Sequence, residues 1–200
     1  DSRDRVTKVT DAKGNAASFA YDLAGNVTSA STAKGIVTRY AYDANGNLRS
    51  MSDAAGTVSY TYEALDSVTA VTDRRGNTQF FAYDAAGRIT SVTDRNGNAT
   101  QYVYDGIGNI IKTIDALGTE AVFHYNKNNQ LISTDVHRVD TLNSVDSHEI
   151  TLYEYDGRNL VTREINALGD STIYVYDGNG NGISKTDAAG YVTRYSDTAL

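Results

Sequence analysis

The 200-residue chain has no cysteine, no proline and no tryptophan, and a single methionine. Without cysteine there is no disulfide, no thiolate metal site and no cysteine nucleophile. Cationic residues are also in short supply: 18 Lys and Arg stand against 25 Asp and Glu, for a net charge of −7. Phosphate backbones and anionic membrane surfaces are held by basic footprints, so the balance argues against nucleic acid or membrane docking as the main role. No apolar run reaches the roughly 18 residues that a spanning helix needs, so no membrane insertion is expected of this segment. The opening Asp1-Ser2-Arg3-Asp4-Arg5 leads into no apolar stretch, so no signal peptide is visible. A hydrophobic fraction of 40% is slightly low but lies above that of disordered chains.

What the chain has in excess is tyrosine: 15, against 4 Phe. The excess is periodic. Tyr followed by an acidic or amide residue recurs at Tyr21-Asp22, Tyr42-Asp43, Tyr62-Glu63, Tyr83-Asp84, Tyr104-Asp105, Tyr125-Asn126, Tyr155-Asp156 and Tyr176-Asp177. Successive tyrosines are 21, 20, 21, 21, 21, 30 and 21 residues apart. The short interval reflects one residue missing between Gly56 and Tyr60. The long one reflects a nine-residue insertion between Leu131 and Tyr153. Self-similarity at such a period marks a repeat architecture.

Each unit carries two Asp-x-x-Gly blocks, as in Asp84 to Gly87 and Asp94 to Gly97. Asp at the first position of a type I turn accepts backbone N–H groups, and Gly at the fourth takes the left-handed conformation that returns the chain. The turn glycines are Gly14, Gly25, Gly35, Gly46, Gly56, Gly76, Gly87, Gly97, Gly108, Gly118, Gly169, Gly180 and Gly190. Segments of about six residues separate the turns, the length of an ordinary strand. The spacing therefore predicts an all-β antiparallel meander of short hairpins with about 17 strands. At ~4.8 Å per strand this is a single-layer ribbon on the order of 80 Å long, which twist must curve or coil.

Aromatic residues sit at i and i+2 in eight strands: Phe19/Tyr21, Tyr40/Tyr42, Tyr60/Tyr62, Phe81/Tyr83, Tyr102/Tyr104, Phe123/Tyr125, Tyr153/Tyr155 and Tyr174/Tyr176. A period of two places both rings of a pair on one face. Only Phe80, Tyr191 and Tyr195 fall outside these pairs, so the aromatics form a structural ladder. Two readings of its chemistry remain open. The rings stack on each other across neighbouring strands, at about 0.2–1 kcal/mol per pair, or they are exposed to stack on sugars.

The pattern Tyr-Asp-x-x-Gly-Asn/Arg-Leu/Ile/Val is carried by Tyr21 to Val27, Tyr42 to Leu48, Tyr83 to Ile89 and Tyr104 to Ile110. It resembles the RHS, or YD, repeat family, and the resemblance runs through residues 1–200. The resemblance implies a β-ribbon spiralling into a hollow, barrel-like shell. In bacterial polymorphic toxins and Tc-type toxin complexes such a shell encloses a C-terminal toxic polypeptide, and similar repeats form the extracellular barrel of teneurins. It further implies a secreted or cell-surface bacterial location. Family shells carry an autoprotease segment rich in Asp-Pro and Gly. A chain without proline offers no place for it, so self-cleavage is not assigned.

Several units depart from the pattern. Asp66 stands for the turn Gly after Tyr62, Asn126 and Asn129 replace Asp and Gly after Tyr125, Gly182 takes an apolar position, and Asp197 stands where a ninth Tyr is expected. Asp1 aligns with the Asp of a YD pair and Val6 with Ile89. The chain is therefore read as about nine repeats of 20–21 residues, a fragment of a longer array, with residues 132–152 inserted in one repeat.

Local chemical candidates are few. Asp177-Gly178-Asn179-Gly180-Asn181-Gly182 begins like a calcium loop, but Ala188 occupies the place of the bidentate Glu, and the segment is in phase with an ordinary YD turn. The insertion holds Asp135, His137, Arg138, Asp140, Asp146, His148 and Glu149. This set could ligate zinc, although the spacing matches no compact motif, and a polar hairpin or a partner contact accounts for it equally. His124 replaces a small residue between Phe123 and Tyr125. Glu149 and Glu154 are a carboxylate pair of no specificity, no Gly-x-Ser-x-Gly elbow is present, and no helix follows Gly178 to Gly182 to make a phosphate loop. No cofactor is implied. The expected function is a structural, encapsulating wall whose partners are the rest of the shell and its cargo. A glycan- or surface-binding module and an enzyme centred on residues 132–152 are the alternatives.

Overall fold

The computed structural model describes residues 1–140 and 145–195. Residues 141–144 of the insertion, the side chains of Asp140 and Val145, and Asp197 with the rest of 196–200 lie outside the described residues. Two compact units divide the chain, residues 1–99 and 100–200.

The first unit holds β1 (Lys8–Thr10), β2 (Ala16–Tyr21), β3 (Val27–Ser31), β4 (Val37–Tyr42), β5 (Leu48–Asp53), β6 (Gly56–Tyr62), β7 (Val68–Thr72), β8 (Thr78–Tyr83) and β9 (Ile89–Thr93). Each pairs antiparallel with the next in sequence. The second unit repeats the plan with β10 (Ala99–Tyr104), β11 (Ile110–Ile114), β12 (Glu120–Tyr125), β13 (Leu131–Asp140), β14 (Val145–Tyr155), β15 (Val161–Ile165), β16 (Ser171–Tyr176), β17 (Gly182–Thr186) and β18 (Val192–Arg194). The meander is thus all-β as expected, with eighteen strands among the described residues.

Hairpins of two kinds alternate. After a YD strand the ladder runs four rungs and breaks just before the Tyr, as at Ala41/Tyr42. After the other strand it runs three rungs, as in Ser29↔Arg39 to Ser31↔Val37. The turns share one geometry. In the turn after β9, Gly97 N–H donates to the Asp94 carbonyl at 3.0 Å and Asp94 N–H donates to the Asn98 carbonyl at 2.9 Å. Gly97 has φ +88°. This is a type I turn closed by a left-handed residue and a bulge, one of the common short hairpin connections. The same geometry forms at Thr32 to Ile36 and Asn166 to Asp170, where Thr and Asn take the Asp position.

The expected irregularities fall in place. Asp53 pairs directly with Gly56 across Ala54-Ala55, so the missing residue is the bulge residue. Asp66, Asn129 and Asn159 take the glycine role with φ of 60°, 63° and 67°. Asp and Asn tolerate this region because their short polar side chains bond locally. Asp1 forms the turn its alignment requires: its Oδ1 accepts the Arg3 and Arg5 N–H groups at 3.0 and 3.1 Å. The insertion lengthens β13 and β14 and leaves the strand order unchanged.

The sheet is a single layer in each unit. Among the described residues Ala70 alone is buried, and at 9% exposure it only just qualifies. The two faces nevertheless differ. In β2, β4, β8, β10 and β16 the two aromatic residues are half-buried and the residue between them is exposed. Both rings of a pair share the better-covered face, as the period of two required.

Gly97 has open space where a Cβ would stand, so its cost of substitution is conformational and not steric. Gly97→Val is expected to lower stability by about 1–2 kcal/mol, whereas Ala99→Val in β10 should be close to neutral. Gly97→Asn should lose a small fraction of the valine penalty, because Asn129 and Asn159 already hold this conformation. Thermal melts of the three variants check the order; equal melting temperatures for the two valine variants would contradict the turn assignment.

Candidate functional site

Every second strand carries the aromatics, so two aromatic strands are never hydrogen-bonded neighbours. The leading ring of each pair therefore faces something else: Phe19 opposes Ala30, Tyr40 opposes Met51, Tyr60 opposes Val71 and Phe81 opposes Val92. In the second unit Tyr102 and Phe123 oppose Thr113 and Thr134, and Tyr174 opposes Lys185, whose ammonium lies 5.8 Å from the ring centroid. This corrects the ring-on-ring reading. Aromatic strands two steps apart are about 9–10 Å apart, which separates one ring row from the next.

The recurring contact is made by the second tyrosine of a pair, through its hydroxyl. Tyr21, Tyr42, Tyr62, Tyr83, Tyr125, Tyr155 and Tyr176 donate to the carbonyls of Val6, Val27, Leu48, Val68, Ile110, Leu131 and Val161, at 2.7 to 3.0 Å. The acceptor is always the apolar residue that follows the previous YD turn. The β3–β4 ladder ends at Ser29↔Arg39, so Val27 lies beyond it and Tyr42 Oη takes the place of a backbone donor. The contact survives the missing residue, as Tyr62 to Leu48, and the insertion, as Tyr155 to Leu131. These hydroxyls donate to the fold.

The turn carboxylates are equally occupied. Asp43 Oδ1 accepts the Asn45 and Asn47 N–H groups at 2.9 Å. Asp94 repeats this and adds Asn98 Nδ2 on Oδ2 at 2.9 Å. Asp22, Asp105 and Asp177 bond the Asn four residues on in the same way, Asp84 bonds Arg88, and Asp156 bonds Arg158. The Asn98 amide side chain, with its backbone N–H, holds the Asp94 carboxyl below its ordinary value. The backbone N–H of Asn47 does the same for Asp43, and that of Asn181 for Asp177. The Asp177–Gly182 segment is accordingly a turn of the common kind, with Gly180 at φ +90°.

Neighbouring turns are also linked, which the sequence did not disclose. Asp66 Oδ1 accepts the side-chain amides of Asn45 and Asn47 at 3.0 and 2.6 Å. Asn159 accepts that of Gln130 at 3.0 Å. Arg3 donates to the Leu23 carbonyl and Arg5 to the Asp22 carbonyl. At the other turns Arg74 meets Asp53 at 2.6 Å and Arg95 meets Asp73 at 3.5 Å. Three of these links use the residue that replaced glycine or its neighbour; the signal was the substitution itself.

The insertion brings scattered residues together. β13 and β14 pair from Ser133↔Leu152 to Asp140↔Val145, with His137 opposite His148. The two imidazoles stack with centroids 4.2 Å apart and planes 8° from parallel. His137 Nε2 lies 2.8 Å from Asp146 Oδ1, and His148 Nδ1 lies 2.9 Å from Asp135 Oδ1. Arg138 and Glu149 pair at 2.6 Å on the opposite face. Glu149 and Glu154 also point to opposite faces of β14 by their odd and even positions, so they form no catalytic pair. His124 lies on β12 opposite Ser133, away from the stacked pair.

A model of the teneurin YD-shell matches residues 1–130 and, overlapping, residues 74–199. A search of curated proteins returns no match. Among solved structures, "TcdB2-TccC3-TEV" aligns with a TM-score of 0.63 at 15% identity, over 94% of this chain and 12% of that one. "TcdB2-TccC3 without hypervariable C-terminal region" aligns at 0.60 and 17% identity, over 84% and 10%. A Photorhabdus luminescens Tc holotoxin pore with a substituted TccC3 aligns at 0.54 and 16% identity, over 93% and 12%. The chain thus spans about a tenth of the length of these solved chains, which share its fold.

Two outcomes follow from the site. Tyr42→Phe leaves the Val27 carbonyl without its donor and should cost about 0.5–1.5 kcal/mol. Tyr40→Phe removes a hydroxyl that makes no hydrogen bond among the described residues and should be near neutral; urea melts of the two variants give the comparison. The lowered Asp values mean that the folded state binds fewer protons than the unfolded one. Their contribution is complete above the ordinary carboxyl value, about pH 4, and is lost as pH falls through the folded values. Asp94→Asn keeps the acceptor but not the charge, so its deficit in melting temperature should shrink between pH 7 and pH 2.5. A deficit independent of pH would refute the charged-acceptor role.

Proposed function

The chain belongs to the teneurin YD-shell family, and from that membership we propose that it is a wall segment of a shell enclosing a C-terminal polypeptide, a toxin or other cargo, until delivery. The observation that carries this reading is the tyrosine brace. A single-layer sheet with one buried residue among those described has no core of its own, yet tyrosine hydroxyls tie strand to strand within each unit, from Tyr21 to Tyr83 and from Tyr125 to Tyr176. Such a sheet is built to be continued by further repeats and to present two faces, one to each side of a boundary.

The mechanism is containment. Paired backbone groups and hydroxyl-capped carbonyls leave little exposed donor or acceptor within the wall to which a partly unfolded cargo could add a strand. Containment needs no catalytic step: the turn carboxylates hold N–H groups, and the YD hydroxyls named above hold carbonyls. The partners are the flanking repeats of the shell and the cargo. One of the solved structures that share the fold is that of a Tc holotoxin pore, which supports a comparable role in an exported bacterial assembly.

The test is protection. In the full-length protein that contains this segment, the C-terminal polypeptide should survive a protease concentration that degrades it when expressed alone. Pairing Tyr42→Ala with Tyr83→Ala should shorten its half-life at least several-fold. A cargo digested equally fast with and without an intact wall would overturn the proposal.

A further inference from the structure

We propose that the long β13–β14 hairpin carries a zinc site formed by His137, His148 and Asp146, with Asp135 orienting His148. The ligand atoms of the three residues lie within 4.8 Å of one another. Two ligand atoms on one tetrahedral zinc, each about 2.0–2.1 Å from the ion, stand roughly 3.3 Å apart. Modest side-chain rotation closes the difference, and the residues have room for it: His148 is 54% and Asp146 73% exposed.

The arrangement is already organised in metal-site fashion. His137 and His148 are held opposite each other by strand register, not by flexible loops. His137 Nε2 and Asp146 Oδ1 share a hydrogen at 2.8 Å, and a cation takes the place of that proton. Asp135 accepts from His148 Nδ1 at 2.9 Å, which fixes the ring and leaves Nε2 as its ligand. Such carboxylate support of a ligating histidine is the usual outer shell of a zinc site. Two stacked imidazoles repel when both are protonated, whereas a shared cation converts the same closeness into binding.

The surroundings do not compete. Glu120 of β12 is level with His137 but is taken by Lys112 at 2.7 Å. Arg138 is on the other face, paired with Glu149. The β14–β15 ladder begins at Leu152↔Ile165, so His148 sits on a stretch of β14 that β15 does not cover. Two imidazoles with one carboxylate select zinc or a similar transition metal over magnesium and calcium, and three protein ligands leave one position open to water.

Isothermal titration of the untagged chain with zinc should give one site per chain at micromolar affinity, with no response to magnesium or calcium. His137→Ala and His148→Ala should each weaken binding at least tenfold, Asp135→Asn about tenfold or more, and His124→Ala not at all. In the unaltered chain, zinc should shift the NMR ring signals of His137 and His148 and leave those of His124 in place, a readout independent of how any variant folds. No binding at 100 µM zinc, unchanged affinity in the His137→Ala/His148→Ala double variant, or unmoved ring signals would overturn the site.

Discussion

A one-layer sheet must satisfy its backbone without a core to shelter it, and that constraint organises this protein. Each three-rung ladder stops two residues short of the apolar residue that follows a YD turn, and that residue has no backbone donor across from it. The YD tyrosine reaches back and supplies one. An unpaired, partly covered carbonyl costs on the order of 1–3 kcal/mol, and the array would meet that cost once per repeat. The tyrosine is therefore placed by hydrogen-bond accounting as much as by apolar area.

The aspartate beside it closes the same unit from the other direction. Its carboxylate collects N–H groups from two and four residues on and the amide of the Asn at the fourth position. The turn thereby holds its shape locally, with little help from the rest of the sheet. Local closure of this kind suits a repeat protein, in which each unit contacts only its neighbours. It also explains why substitutions are absorbed. Asp66, Asn129 and Asn159 enter the left-handed region without disturbing the meander, and Asp66 and Asn159 turn the new side chain into a link with the preceding turn.

The insertion follows the same logic. Nine extra residues add rungs to the β13–β14 ladder and to the β12–β13 ladder beside it, and Tyr155 still finds Leu131. The longer hairpin leaves the meander continuous on both sides. It is the one place among the described residues where imidazoles and carboxylates gather on one surface.

Strand positions, turn glycines, the shared face of each aromatic pair and the in-phase starts at Asp1 and Val6 were all legible in the sequence. These depend on neighbours a few residues apart, and periodicity reports such relations directly. The partners of the tyrosines were not legible. Ring-on-ring stacking assumed that aromatic strands adjoin, and only the strand order shows an intervening strand that places an aliphatic, threonine or charged side chain against each leading ring. The histidine pair was hidden for the same reason: eleven positions separate His137 from His148, and only the register of β13 against β14 makes them face each other. Repetition thus determined the local folding of this chain, because turns and strand faces are short-range matters, while tertiary structure decided which groups meet across strands, because that depends on pairing between segments the sequence keeps apart.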